Sequence, residues 1–73
     1  MAKTEVLAPT PGLVVRIDAK EGSTVAEGAT LVTIQSMKTE ISIQSESSGR
    51  ISRIFVKEGE EVNMGQPVAE IES

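Results

Sequence analysis

Among residue types able to do covalent or acid–base chemistry, this sequence offers four lysines and eleven carboxylates, with no cysteine and no histidine. Thiolate nucleophiles and Cys/His zinc sites are therefore excluded. The commonest general base near neutral pH is also missing. The carboxylates show no spacing that suggests a glycosidase-like pair. Lysine is what remains: its amine can be joined to a carboxyl group as an amide, provided that it protrudes far enough to be reached. One lysine is distinguished by its surroundings. Lys38 lies in Met37-Lys38-Thr39, the three residues between Ile34-Gln35-Ser36 and the alternating stretch Glu40–Gln44. A lone lysine is ordinarily a solvated surface charge, so its significance depends on the elements that hold it.

Those elements are visible through an internal repeat. Displaced by 37 positions, Gly12 meets Gly49, Arg16 meets Arg53, and Ile17 meets Ile54. Lys20-Glu21-Gly22 meets Lys57-Glu58-Gly59, Val25 meets Val62, Gly28 meets Gly65, and Ile34 meets Ile71. Val14 with Ile51 and Leu31 with Val68 match in kind, and no gap is needed. Each copy reads as short β-branched strands separated by turns at Glu-Gly and Met-Gly. The expected strands are Glu5–Leu7, Val14–Ile17, Leu31–Ile34, Glu40–Gln44, Ile51–Val56 and Val68–Ile71, with Pro67 at a strand start. In Glu40–Gln44, strict alternation predicts Ile41 and Ile43 on one face and Glu40, Ser42 and Gln44 on the other. Helix is disfavoured because the apolar residues are mostly Val and Ile and glycine recurs at short intervals within each copy.

The repeat places the lysine. Two strands so close together must turn back as a tight hairpin, with Lys38 at or beside its tip. No Gly, Pro, Asn or Asp marks this turn, which implies that its residues are kept for another purpose. If the copies fold alike, the hairpin is expected near the pseudo-dyad at one end and the termini near the other. Lys38 is then the most projecting group, with Met37 beside it and lacking a core partner. The two Lys-Glu-Gly segments read as turns bearing surface charge. Phe55, the only aromatic residue and the counterpart of Asp18, reads as core.

With Gln35-Ser36-Met37-Lys38-Thr39-Glu40 set in this Gly/Val scaffold, the chain resembles the biotinyl/lipoyl attachment domain family over nearly its whole length. The resemblance implies an all-β, flattened barrel, or barrel-sandwich hybrid, of two quasi-symmetric four-stranded antiparallel sheets. It implies Lys38 as the attachment residue at a hairpin tip. Ser36-Met37-Lys38 is similar to the biotin type, and lipoyl domains usually have Asp before the lysine. Thr39 and Gln35 depart from the usual biotinyl neighbours. The short turn at Lys20-Glu21-Gly22 leaves no room for the "thumb" insertion of some acetyl-CoA carboxylase carriers.

The function implied is a non-catalytic biotin carboxyl carrier. Its partners would be a biotin protein ligase, a biotin carboxylase and a carboxyltransferase. The alternatives are a lipoyl carrier of a 2-oxo-acid dehydrogenase-type complex and an unmodified adaptor of the same fold. The 73 residues are expected to form one domain, 1–73, monomeric on its own. Met1 and the short C-terminal end favour a separate subunit over an excised domain. The net charge of −4, with few scattered cations, argues against nucleic acid. No apolar run approaches the ~20 residues of a membrane span, and no signal peptide is evident, so a cytoplasmic location is expected.

Overall fold

The computed structural model describes residues 2–73. All regular structure among them is strand: β1 (Lys3–Leu7), β2 (Gly12–Ile17), β3 (Thr24–Val25), β4 (Thr30–Ser36), β5 (Thr39–Gln44), β6 (Gly49–Ile54), β7 (Glu61–Val62) and β8 (Pro67–Glu72). They form two antiparallel four-stranded sheets, in the orders β1-β8-β6-β3 and β5-β4-β2-β7. A shift of 37 residues converts one order into the other. The body is elongated, 36 × 18 × 18 Å, a barrel flattened into two layers.

The symmetry extends to individual bonds. Gly22 N–H donates to Ile51 O at 2.7 Å, and Gly59 N–H to Val14 O at 2.8 Å. Gly28 N–H donates to Ser45 O at 2.7 Å, and Gly65 N–H to Ala8 O at 2.8 Å. These four glycines have φ between 81° and 88°, a region that L side chains avoid. The repeated glycines thus turn the chain identically in both copies and tie each turn to the opposite copy. One bond departs from the plain-turn reading of Lys20-Glu21-Gly22. The Glu21 carboxylate accepts the backbone N–H of Ile54 at 2.9 Å, so this side chain also holds β6.

The core lies between the layers and is aliphatic. Leu31, Val32 and Ile34 of β4 are buried with Val68, Ala69 and Ile71 of β8, and Val14 and Ile51 complete the centre. Burying each large aliphatic side chain stabilises the fold by about 1.5–3 kcal/mol. The alternation expected for β5 holds: Ile43 is buried and Ile41 half-buried, whereas Glu40, Ser42 and Gln44 are exposed.

Three expectations require correction. Phe55 is not in the core but 39% exposed. Its N–H donates to Val68 O as that of its counterpart Asp18 donates to Leu31 O. The shared backbone frame therefore directs both side chains outward, and Val56 takes the buried place. The strand read as reaching Val56 stops at Ile54. Finally, the hairpin does not sit near the dyad. Ala2 and Ser73 exchange backbone bonds of 3.1 and 2.9 Å, and the repeat maps this pair onto Thr39 and Ser36, which are partners in the hairpin. The pseudo-dyad exchanges hairpin and termini instead of passing through either.

Candidate functional site

β4 and β5 run in register from Val32↔Ile43 to Ser36↔Thr39, leaving Met37 and Lys38 as a two-residue loop. Such loops favour primed turns, which need positive φ at the first loop position. Met37 supplies it, with φ 57°, and is the only non-glycine with positive φ among the described residues. Its side chain is 96% exposed. A methionine held in the left-handed region without burying anything contributes strain and no packing. Lys38, next along, is exposed and forms no salt bridge among the described residues. The hairpin expected between the two strands is therefore present, with Lys38 exposed in its loop beside Met37.

The hairpin stands on a rigid base. Ile34, fully buried, pairs with Ile41 across the ladder. Below the tip, β2 passes so close that a Cβ on Gly12 would lie 2.8 Å from Gln35 O and 3.2 Å from Ile34 Cδ1. Only glycine permits that approach. The lysine is thus displayed from a fixed frame and not from a mobile loop.

Beside this frame lies a polar cluster that sequence reasoning missed. Asp18 accepts the Arg16 Nε–H at 2.6 Å and the Thr33 hydroxyl at 2.8 Å, and Arg16 Nη2 reaches Thr33 Oγ1 at 3.3 Å. Thr33 is buried, so Asp18 satisfies a hydroxyl that would otherwise be orphaned. Burial pushes the Asp18 carboxyl up, but the bonds from Arg16 and Thr33 and the Arg16 charge outweigh it and hold the group below its ordinary value. The Arg16 guanidinium is raised, first by its bond to Asp18, with Glu40 of β5 adding its charge. The available signal was a mismatch in the repeat, because Asp18 and Thr33 align with Phe55 and Glu70.

A shallow groove of about 490 Å³ flanks the hairpin on the β2/β7 side, with Pro11, Leu13, Gln35, Met37, Glu61 and Asn63 in its walls. A second, of about 310 Å³, lies between β1 and β5. No cluster of metal-ligating side chains occurs among the described residues. Lys3, Lys20 and Lys57 are exposed but lie on β1 or in the turns, away from any hairpin tip. What the site offers chemically is one primary amine on a stiff projection, without an enclosing pocket. Such a group suits modification by another protein's active site, and the residues present fit a prosthetic group held through that amine.

Comparison with known proteins agrees with this geometry. The family model described as "Biotin-requiring enzyme", the biotin/lipoyl family, matches residues 4–71. The chain is 34% identical over 67 residues to the propionyl-CoA carboxylase alpha chain of Ruegeria pomeroyi, covering 92% of this chain and 10% of that one. It is 35% identical over 69 residues to the pyruvate carboxylase of Bacillus subtilis, covering 94% and 6%. Among solved structures, Kluyveromyces lactis urea carboxylase superposes with a TM-score of 0.92 at 28% identity, over 97% of this chain and 6% of that one. A single-chain, multi-domain long-chain acyl-CoA carboxylase superposes with a TM-score of 0.88 at 29% identity, over 93% and 7%. The chain spans a tenth or less of the length of these relatives. An all-β pair of symmetric sheets, a lysine-tipped hairpin and a family match over almost every residue lead to one conclusion: the chain belongs to the biotin/lipoyl family of biotin-requiring enzymes.

Proposed function

We propose that this chain is a biotin carboxyl carrier in which Lys38 holds biotin as an amide. The observation that carries the reading is the two-residue loop in which a strained, fully exposed Met37 precedes an exposed Lys38 that forms no salt bridge among the described residues. A fold optimised only for its own stability would place Gly or Asn there. The likeness to carboxylases, and Met37 where lipoyl domains usually have Asp, favour biotin over lipoate.

Loss of the Lys38 charge on amide formation removes no ion pair among the described residues, so loading costs the fold no electrostatic stability. When bound, biotin supplies a ureido nitrogen that accepts and releases a carboxyl group. The chain's own part is mechanical. The β4–β5 ladder fixes the base of the arm, and the projecting tip delivers it first to a biotin carboxylase and then to a carboxyltransferase. Tethering keeps the carried group at high effective concentration and out of bulk solvent. Such partners need only dock weakly, as a shuttle requires.

The test is the intact mass of the chain after incubation with a biotin protein ligase, ATP and biotin, with the adduct mapped to its peptide. A biotinyl group on Lys38 supports the carrier reading. A lipoyl adduct formed only by a lipoyl ligase moves the chain to the 2-oxo-acid dehydrogenase class. No adduct from either overturns both and favours an unmodified adaptor.

A further inference from the structure

The pseudo-dyad provides an internal control for the groove beside the hairpin. Each position there except Met37 has a counterpart near the chain ends, on the same backbone. Leu13 and Gln35 are cross-strand partners between β2 and β4, and their counterparts, Arg50 and Glu72, are partners between β6 and β8. At the chain ends the pair is an ion pair, Arg50 Nη2 to Glu72 Oε1 at 3.5 Å. At the hairpin the same place holds a leucine that is 38% exposed and a neutral amide. Pro11 likewise stands where the other copy has Ser48, whereas the polar Asn63 stands where it has Ala26. The fold therefore accepts polar or charged residues at the places of Pro11, Leu13 and Gln35. At Pro11 and Leu13 the wall is apolar only beside Lys38, and Met37, which has no counterpart in the chain, adds to it.

Resting on the reading above, we infer that this groove is a docking site for the bicyclic ring carried on Lys38, which folds back onto its own domain between visits to partner sites. The chemistry matches in kind. Biotin presents an apolar thioether ring with one ureido edge bearing a carbonyl and two N–H groups. Pro11, Leu13 and Met37 offer apolar surface to the first, which water otherwise covers. Gln35 and Asn63 offer amide donors and acceptors to the second, and Glu61 a further acceptor. Neither of those amide side chains has a hydrogen-bond partner among the described residues. The groove is a shallow depression of about 490 Å³, open on one side. Met37, covalent neighbour of Lys38, is itself a wall of the groove, so the arm starts at its rim. The openness of so shallow a site suits a dock that must release the ring repeatedly.

The experiment compares the ¹⁵N-labelled chain before and after biotinylation, with loading verified by mass. Docking predicts amide shifts at Leu13, Gln35, Glu61 and Asn63 in addition to those next to the modified lysine. Leu13→Arg installs the residue that the other copy already carries on this backbone, so it should fold and melt as wild type while losing the groove shifts. Leu13→Gln provides the same loss without a new charge. Capture by avidin gives a second readout. A ring docked about two-thirds of the time should be captured about threefold more slowly in wild type than in Leu13→Arg. Shifts confined to Met37–Thr39, with equal capture rates, would overturn this inference alone. Absence of any adduct by mass would overturn it together with the carrier reading.

Discussion

The Thr33 hydroxyl donates to the Asp18 carboxylate at 2.8 Å, across the β2–β4 ladder and beneath the strand that carries the hairpin. Thr33 is buried, and Asp18 is the only acceptor its hydroxyl reaches among the described residues. Asp18→Ala should therefore cost about 1–3 kcal/mol by leaving that donor unpaired. Adding Thr33→Val should recover part of the loss, because the orphaned group is then gone. Urea denaturation of the two single variants and the double variant measures the coupling.

The same carboxyl makes stability depend on acid. Asp18 is held below its ordinary value in the folded chain. Its contribution is present above that ordinary value and is lost as the pH falls through the folded-state value. Wild type should lose its advantage over Asp18→Asn on going from neutral pH to below about pH 4, the difference shrinking as the carboxyl protonates. Melting curves of the two proteins across that interval decide the matter; a difference that stays constant with pH would assign the effect to packing.

Met37 separates fold from recognition. Its positive φ should be relieved in Met37→Gly, which gains about 0.5–1 kcal/mol once the extra backbone entropy of glycine in the unfolded chain is counted. If the side chain serves the modifying enzyme, Met37→Gly and Met37→Ala should both be biotinylated more slowly despite intact folds. Stability and initial rate of adduct formation are read on the same samples. Unchanged rates would leave the strain unexplained by recognition.

Lys38→Arg should melt within about 0.5 kcal/mol of wild type, because an exposed side chain without partners contributes little, and should carry no adduct. Biotin found on that variant would point to Lys3, Lys20 or Lys57.

Gly12→Ala should destabilise by about 1–3 kcal/mol, since its Cβ must displace the Gln35 carbonyl. Gly49→Ala should cost a similar amount, its Cβ meeting Glu72 O at 2.7 Å. Equal losses in chemical denaturation would confirm that the two copies resist the same intrusion at the same place.

Much of this molecule was legible in the sequence because its repeat is gap-free. Gly22 and Gly59 announced matching turns, and the interval from Ile34 to Ile41 left space only for a hairpin, which located Lys38. The two-residue strands β3 and β7 were not legible, because two residues carry no periodicity. Phe55 was misplaced because hydrophobicity was read without direction, and its backbone N–H is held by Val68 O just as that of Asp18 is held by Leu31 O, in a frame that faces both side chains outward. The Asp18–Thr33 bond joins residues fifteen apart, and the groove wall at Leu13 forms only once β2, β4 and β7 are assembled. Such features belong to tertiary structure and leave no local mark.

The bonds between Ala2 and Ser73 have a topological corollary. They close the only break in an otherwise cyclic arrangement of two equal modules. One residue added between the ends of this 73-residue chain would bring it to twice the repeat length. Peptide ligation across that gap should give a seamless ring with two loops of equal length, stabilised on the order of 4 kcal/mol by loop closure in the unfolded state. A Met-Lys sequence in the new loop would then create a carrier with two arms, one at each pole.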